Sequence, residues 1–199
     1  MFPSRAKVLF AASWLAFQAA LPARAPGQTA PRVRVETSLG VIVMELYPDK
    51  APGTVSNFLR YVDAGHFDGG QFHRTVTPEN QPNDSVRIEV VQASVAAARN
   101  GEAFPAIPLE RTSVTGLRHV DGTLSMARGG PDSARSSFFI CIGDQPSLDF
   151  GGHRNLDGQG FAAFGRVVEG MDVVRRIQRS PSQGQQLEPP VRIVSVRRL

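Results

Sequence analysis

The chain has 199 residues, a single cysteine, 22 Lys or Arg and 18 Asp or Glu. This length predicts one domain with a sizeable buried core, and one cysteine excludes an internal disulfide and a metal site built from cysteines. Three of the basic residues and none of the acidic ones lie in the first 25 positions, so 19 basic residues face 18 acidic ones in the rest of the chain. Because a nucleic-acid-binding domain keeps a clustered excess of Lys and Arg, we expect no nucleic-acid partner.

The first 25 residues have the three parts of a secretory signal peptide. Arg5 and Lys7 provide the basic start, residues 8–20 are mostly apolar, and Ala23-Arg24-Ala25 offers small residues for cleavage. The apolar run is shorter than the about 20 residues that a membrane-spanning helix needs. We therefore predict export, to a periplasm first of all or to the extracellular space, with no membrane attachment once the segment is removed. The alternative is a segment that stays uncleaved as an anchor.

After a linker at 26–31, the domain itself, residues 32–199, begins with the pattern of a β-hairpin. Polar and apolar residues alternate from Val33, Ser38-Leu39-Gly40 supplies a turn, and residues 41–46 are rich in strand formers. Two such runs around a short turn predict an antiparallel pair of strands.

Two segments have the spacing of amphipathic helices. Pro52 suits a first helical position, and apolar residues recur at helical spacing after it until Gly65 ends the pattern. The second helix is predicted over residues 171–178, where three apolar residues share one face.

Short strands dominate the rest of the domain. Five further segments predict strands by their alternation and their β-branched or aromatic content: 72–76, 86–91, 123–127, 137–142 and 161–168. The segment 191–195 alternates as well, and we expect it to pair with the first strand. Many short strands with two helices favour a mainly β fold, a closed antiparallel barrel capped at its ends. Residues 96–111, rich in alanine and then interrupted by proline, give no prediction.

The sequence contains none of the motifs of the common catalytic chemistries. The four histidines show no metal-ligand spacing, and there is no phosphate-binding loop or serine nucleophile motif. We therefore expect no metal and no cofactor.

Six segments resemble, in order along nearly the whole domain, the motifs of the cyclophilins, the family of peptidyl-prolyl cis-trans isomerases. They are Thr37-Ser38-Leu39-Gly40, Ala51-Pro52-Gly53-Thr54-Val55-Ser56-Asn57-Phe58, Phe72-His73-Arg74, Gly122-Thr123-Leu124-Ser125-Met126-Ala127, Ser136-Ser137-Phe138-Phe139-Ile140 and Phe164-Gly165-Arg166-Val167-Val168-Glu169-Gly170-Met171. The resemblance implies a closed eight-stranded antiparallel barrel capped by two α-helices. It also implies an enzyme that accelerates rotation about Xaa-Pro bonds without a cofactor.

The resemblance also assigns roles to individual residues. It makes Arg74 the catalytic residue, an electrostatic donor toward the prolyl side of the twisting bond. It also implies that the proline ring is surrounded by Phe139, Leu148, Phe161 and Val90. Gln92 would hold the substrate backbone and orient the arginine. Ala127 and Arg128 would read the residues before proline through their backbone.

The chain departs from the family pattern between Arg74 and Gln92. The path between them is roughly ten residues longer than the resemblance implies, with a polar, turn-rich addition at 77–85, and Glu89 occupies a position that the family gives to phenylalanine. Either Glu89 turns a pocket wall acidic and pairs with Arg74, or the strand is shifted and Glu89 faces solvent while Ile88 or Val90 fills the pocket. The sequence leaves both open.

Two functions follow from these residues. The first is an exported, monomeric prolyl isomerase that acts on proline-containing segments of exported proteins and assists their folding. The second is a cyclophilin-like module that binds such segments with little or no catalysis, favoured by Glu89 and the added segment. Ser147 replaces a bulky family residue, so we expect weak cyclosporin binding.

Overall fold

The computed structural model describes residues 30–199; the predicted signal peptide and most of the linker lie outside the described residues. Nine antiparallel strands form one sheet: Arg32–Thr37 (β1), Gly40–Leu46 (β2), Gln71–Val76 (β3), Val90–Ser94 (β4), Thr123–Met126 (β5), Phe138–Cys141 (β6), Ala163–Glu169 (β7), Ser182–Gln183 (β8) and Gln186–Arg198 (β9). Three α-helices accompany them: Pro52–Asp63 (α1), Thr112–Thr115 (α2) and Met171–Gln178 (α3).

Eight of these strands close into a barrel. Their order is β1-β2-β7-β5-β6-β4-β3-β9, and β9 returns to pair with β1, while the short β8 only extends the hairpin before β9. The first hairpin pairs Thr37 with Gly40 across its turn. The predicted eight-stranded antiparallel barrel is confirmed.

The two predicted helices pack against this barrel. Helix α1 has Pro52 at its first position and buries Val55, Phe58 and Val62 in the main core. Helix α3 buries its three predicted apolar residues and contacts β2, β3 and β4. The additional α2 is a single turn. No helix among the described residues has the length and apolar character needed to cross a membrane.

The strand predicted over 86–91 is placed wrongly at its start. Strand β4 begins only at Val90 and continues to Ser94. The side chain of Gln81 explains the difference, since it accepts from the backbone N–H of Ile88 at 3.2 Å and donates to its C=O at 2.7 Å. Ile88 therefore has no backbone groups left for a neighbouring strand. The last strand is also longer than 191–195, because β9 pairs first with β3 and then with β1.

Strand alternation divides the apolar residues into two groups. On β6, Phe138 faces the main core inside the barrel, whereas Phe139 faces outward. On β4, Val91 lies in the main core and Val90 outside it. The outward-facing group, here named the outer cluster, consists of Val76, Ile88, Val90, Phe139, Cys141, Leu148 and Phe161. A barrel filled inside thus carries a second apolar surface on its wall.

Candidate active site

The outer cluster supplies the apolar part of a pocket of ≈240 Å³. All eight residues predicted for the site line it: Arg74, Val90, Gln92, Ala127, Arg128, Phe139, Leu148 and Phe161. Of the other three lining residues, Ile88 belongs to the shifted-strand alternative, and Arg154 and Asn155 were not predicted. The structure therefore brings together residues of three strands, β3, β4 and β6, and of the segments before β4, after β5 and between β6 and β7.

Aromatic and aliphatic side chains form the floor and rim of the pocket. Phe139 and Phe161 meet edge to face, with ring centroids 5.4 Å apart and an interplanar angle of 87°, which is a preferred geometry for aromatic pairs. Leu148, at the end of a 3-10 turn, is fully buried beside them. The result is a preformed apolar surface that fits a small ring.

A buried polar network supports this floor from behind. The ring of His119 stacks on Phe139 with centroids 6.1 Å apart. Its Nδ1 lies 2.7 Å from Asp149 Oδ1 and its Nε2 lies 2.9 Å from Ser125 Oγ. Burial opposes ionisation of Asp149, but the hydrogen bonds from His119 outweigh it and lower the pKa of that carboxyl. The network fixes the orientation of the floor because every polar atom in it has a partner.

Arg74 is held at the pocket by two neutral amide groups. Its Nη1 donates to Gln92 Oε1 at 2.9 Å, and its Nε and Nη2 donate to Gln185 Oε1 at 2.9 and 2.6 Å. Burial lowers the pKa of Arg74, and the nearby cation Arg154 lowers it further. Arginine nevertheless stays charged in proteins. Among the described residues no carboxylate forms an ion pair with Arg74, so no carboxylate competes with a ligand for its donors.

Sequence reasoning missed Gln185, the second partner of Arg74. This residue lies in the turn between β8 and β9, 111 positions from Arg74. Its Nε2 donates to the C=O of Asn80, in the added segment, at 3.3 Å, and Asn80 Nδ2 donates to the C=O of Thr75 at 3.0 Å and of Gly184 at 3.1 Å. The added segment therefore fixes the turn that carries Gln185. No feature of the sequence predicts a contact between residues so far apart in the chain.

Glu89 lies away from Arg74. Its Oε2 accepts from Gln178 Nε2, on α3, at 2.9 Å, whereas Ile88 and Val90 line the pocket. The interpretation in which Glu89 makes a pocket wall acidic is wrong. The shifted-strand interpretation is right that Ile88 and Val90 line the pocket, but Glu89 is half-buried against α3 and does not simply face solvent. The physical reason is the hold that Gln81 has on Ile88, which sets the register at which the chain enters β4.

Arg128 closes the rim of the pocket with its side chain. The guanidinium forms two hydrogen bonds with the Asp157 carboxylate, at 2.7 and 2.9 Å, and its Nε donates to the C=O of Gly160 at 2.8 Å. It lies over the ring of Phe161, 5.0 Å from the centroid, within cation–π range. Arg128 lowers the pKa of Asp157 to about 2. Gly160 has a φ of +66° and approaches the Asp149 backbone too closely for a side chain.

Backbone and amide groups at the pocket remain unpaired. Within residues 30–199, neither the backbone N–H nor the C=O of Arg128 has a hydrogen-bond partner, and the Nε2 of Gln92 has none either. Gln92 turns its oxygen toward Arg74, which leaves two N–H donors for another acceptor. An extended peptide offers the C=O and N–H groups that would complete them.

Other reactive groups in the described part of the chain give no catalytic site. Cys141 is buried, and burial raises the pKa of its thiol, so a thiolate nucleophile is disfavoured. No group of three or more His, Cys, Asp or Glu residues among those described could hold a metal ion.

Comparisons with known proteins agree with this geometry. The family model described as cyclophilin type peptidyl-prolyl cis-trans isomerase/CLD matches residues 32–198. A peptidyl-prolyl cis-trans isomerase of Streptomyces antibioticus is 37% identical over 171 residues, 83% of this chain and 96% of that protein. One from Acinetobacter baylyi is 35% identical over 170 residues, 82% of this chain and 83% of that protein.

A solved structure shares the fold at lower identity. The crystal structure of a Cryptosporidium parvum cyclophilin type peptidyl-prolyl cis-trans isomerase superposes with a TM-score of 0.68 at 20% identity, covering 85% of this chain and 98% of that one. The same barrel, the match over the whole domain and the identity to curated relatives lead to one conclusion. The chain belongs to the cyclophilin-type peptidyl-prolyl cis-trans isomerases.

Proposed function

We propose that this protein isomerises Xaa-Pro bonds in exported proteins of a bacterial envelope, with Arg74 as its catalytic residue. Membership of the family makes the chain a peptidyl-prolyl isomerase that needs no cofactor. The remaining assignments rest on the pocket, and one observation carries them. A charged guanidinium, held only by amide oxygens, lines a pocket of ≈240 Å³ beside an apolar floor.

The chemistry of the reaction explains why such a pocket is sufficient. Resonance between nitrogen and carbonyl sets a barrier of about 18–20 kcal/mol to rotation of a peptide bond. An enzyme lowers this barrier when it binds the twisted bond better than either planar form. Twisting localises the lone pair on the prolyl nitrogen, and a donor placed there stabilises the twisted state. A preorganised donor of this kind contributes about 3 kcal/mol.

The residues around Arg74 take the supporting roles. Phe139, Leu148 and Phe161 hold the proline ring, with Val90 and Ile88 completing the apolar wall. Gln92 orients Arg74 with its oxygen and donates from its nitrogen to a substrate C=O. The unpaired backbone of Arg128, next to Ala127, hydrogen-bonds the peptide residues before proline.

The competing function, a binding module without catalysis, loses its support. It depended on Glu89 pairing with Arg74 and on the added segment disturbing the pocket. Glu89 contacts Gln178 instead, and the added segment reinforces the partner of Arg74 through Asn80 and Gln185.

Catalysis is tested by NMR exchange on a short Xaa-Pro peptide, with the chain from residue 26 onward and its Arg74→Ala and Arg74→Lys variants. We expect a loss of about a hundredfold in kcat/KM for Arg74→Ala, by the magnitude of one preorganised donor. Arg74→Lys keeps the charge but not the two-sided geometry and should recover only part of the rate. Equal rates for wild type and Arg74→Ala would refute the role of Arg74.

Export and a monomeric state are supported by the composition of the first 25 residues and by the fold of a complete single barrel. Expression of the whole chain in a bacterium, fractionation and intact mass measurement test export. We expect a periplasmic product that lacks about 25 N-terminal residues, and sedimentation at the mass of one chain. A full-length product in the membrane fraction would instead support the uncleaved anchor.

A further inference from the structure

A second arginine reaches the pocket by means of the added segment. Arg154 Nη1 donates to Asp84 Oδ2 at 3.0 Å and to the C=O of Val86 at 2.7 Å. Its side chain is only 16% exposed, and it lines the pocket together with Arg74. Within residues 30–199 its Nε and Nη2 have no hydrogen-bond partner, so these donors are free to bind a ligand.

The charges around the pocket do not balance. Three arginines and no carboxylate line it. Arg128 is matched by both oxygens of Asp157, and Arg154 is matched by one oxygen of Asp84, whose side chain is 42% exposed to solvent. Arg74 has only amide partners. The pocket thus carries close to one uncompensated positive charge where a substrate sits, and Asp84 compensates its neighbour only weakly because water screens it.

We propose that Arg154 is a specificity-determining residue that favours substrates with a carboxylate side chain directly beside the proline. This inference rests on the isomerase function proposed above. A Glu or Asp next to the proline accepts hydrogen bonds from the free nitrogens of Arg154, and the bonds between ions are stronger than those to neutral groups. A Lys or Arg at the same place adds a further cation to two that already repel each other. Arg74 and Arg154 repel each other, and a substrate carboxylate brought into the pocket offsets part of that repulsion.

Substitutions of the two ion-pair partners, Arg154 and Asp84, should change the preference for acidic peptides in opposite directions. Arg154→Gln removes the charge and leaves a shorter, neutral donor, so the preference for acidic peptides should disappear. Asp84→Asn keeps Arg154 charged but takes away the carboxylate that competes with the substrate, so the preference should increase. A pair that only stabilised the fold would lower activity on all peptides in both variants.

The experiment uses peptides of one length with Ala, Glu or Lys directly before the proline, and a second set with the same residues directly after it. NMR exchange gives kcat/KM for each peptide with the chain from residue 26 onward. For wild type we expect Glu over Ala to be about fivefold at one of the two positions, with Lys below Ala, since partly screened ion pairs contribute at this level. The ratio should fall toward one between low and high salt, because ions screen the interaction.

The ratio of two peptides on one variant is unaffected by a uniform loss of activity or of folded protein. If wild type fails to isomerise even the Ala peptides above background, the proposed function itself fails. If it isomerises them but shows equal rates for Glu and Ala at both positions, the inference about Arg154 fails alone. A Glu preference that survives in Arg154→Gln, or one that does not increase in Asp84→Asn, also overturns it.

Discussion

Replacing Gln185 by leucine removes the oxygen that holds two nitrogens of Arg74, at 2.9 and 2.6 Å, while keeping the volume of the side chain. A hydrogen bond to a charged group contributes about 1.5–3 kcal/mol. The two bonds share one acceptor, so we take the lower end, about 1.5 kcal/mol. Since 1.36 kcal/mol in the barrier is tenfold in rate, Gln185→Leu should lower kcat/KM about tenfold.

Gln185→Glu separates the position of Arg74 from its charge. The carboxylate keeps the same acceptor geometry, but it forms an ion pair with Arg74 and raises its pKa. If the charge of Arg74 stabilises the twisted bond, this variant should also lose activity, although Arg74 remains in place. Thermal unfolding followed by circular dichroism should show Gln185→Glu to be as stable as wild type or more so.

The matched control is Gln183→Leu, the same substitution on an exposed residue of the same hairpin. NMR exchange on an Ala-Pro peptide, at substrate concentrations well below KM, gives kcat/KM for all variants. A Gln185→Leu enzyme within twofold of Gln183→Leu would refute the positioning role of Gln185. Full activity in Gln185→Glu would refute the argument that Arg74 acts through its uncompensated charge.

Three further predictions concern the surroundings of the pocket. The lowered pKa of Asp149 means that its bonds with His119 stabilise the fold above the ordinary carboxyl pKa of about 4 and are lost as pH falls through the lower folded value; urea unfolding should therefore show Asp149→Asn less stable than wild type at pH 6, with the difference shrinking toward pH 3. Glu89→Gln should leave kcat/KM within about twofold of wild type, since the Glu89 carboxylate bonds to Gln178 outside the pocket and a neutral amide can keep an acceptor there; a large gain or loss in the peptide assay would contradict this placement. Ser147→Trp should restore a bulky contact beside the pocket and tighten cyclosporin binding in a calorimetric titration, and equal heats for both proteins would count against the predicted weak binding.

The barrel and most of the pocket could be predicted because their signals are local. Successive side chains of a strand point to opposite faces, so Phe138 and Phe139 are separated by the strand itself, although the all-apolar run at 138–142 does not tell which face is the core. The Phe72-His73-Arg74 motif then placed the catalytic candidate among the right neighbours. Gln92, on the next strand and 18 positions after Arg74, was assigned by the resemblance to the cyclophilins.

Gln185 and Arg154 could not be predicted, because each depends on a contact between distant parts of the chain. The start of β4 could not be predicted because it depends on side-chain bonds from Gln81 to the backbone of Ile88, seven positions away. The bond from Gln185 to Arg74 spans 111 positions, and the bond from Arg154 to Asp84 spans 70. Polar turn residues such as Asn80 and Gln81 look like solvent-exposed loop in the sequence. Only the folded chain shows that Gln81 is buried and that it sets the path into β4.

The anchoring of Arg74 has a consequence for the order in which the protein becomes active during its own synthesis. Gln92 and the pocket floor are available once the middle of the chain has emerged, but Gln185 stands directly before β9, the strand that completes the barrel by pairing with both β3 and β1. The arginine therefore receives its second amide only when the C-terminal strand has docked. We therefore expect full rotamase activity only after the barrel is complete. A chain truncated before Gln185 would contain the Phe72-His73-Arg74 motif but would not hold Arg74 in its working geometry.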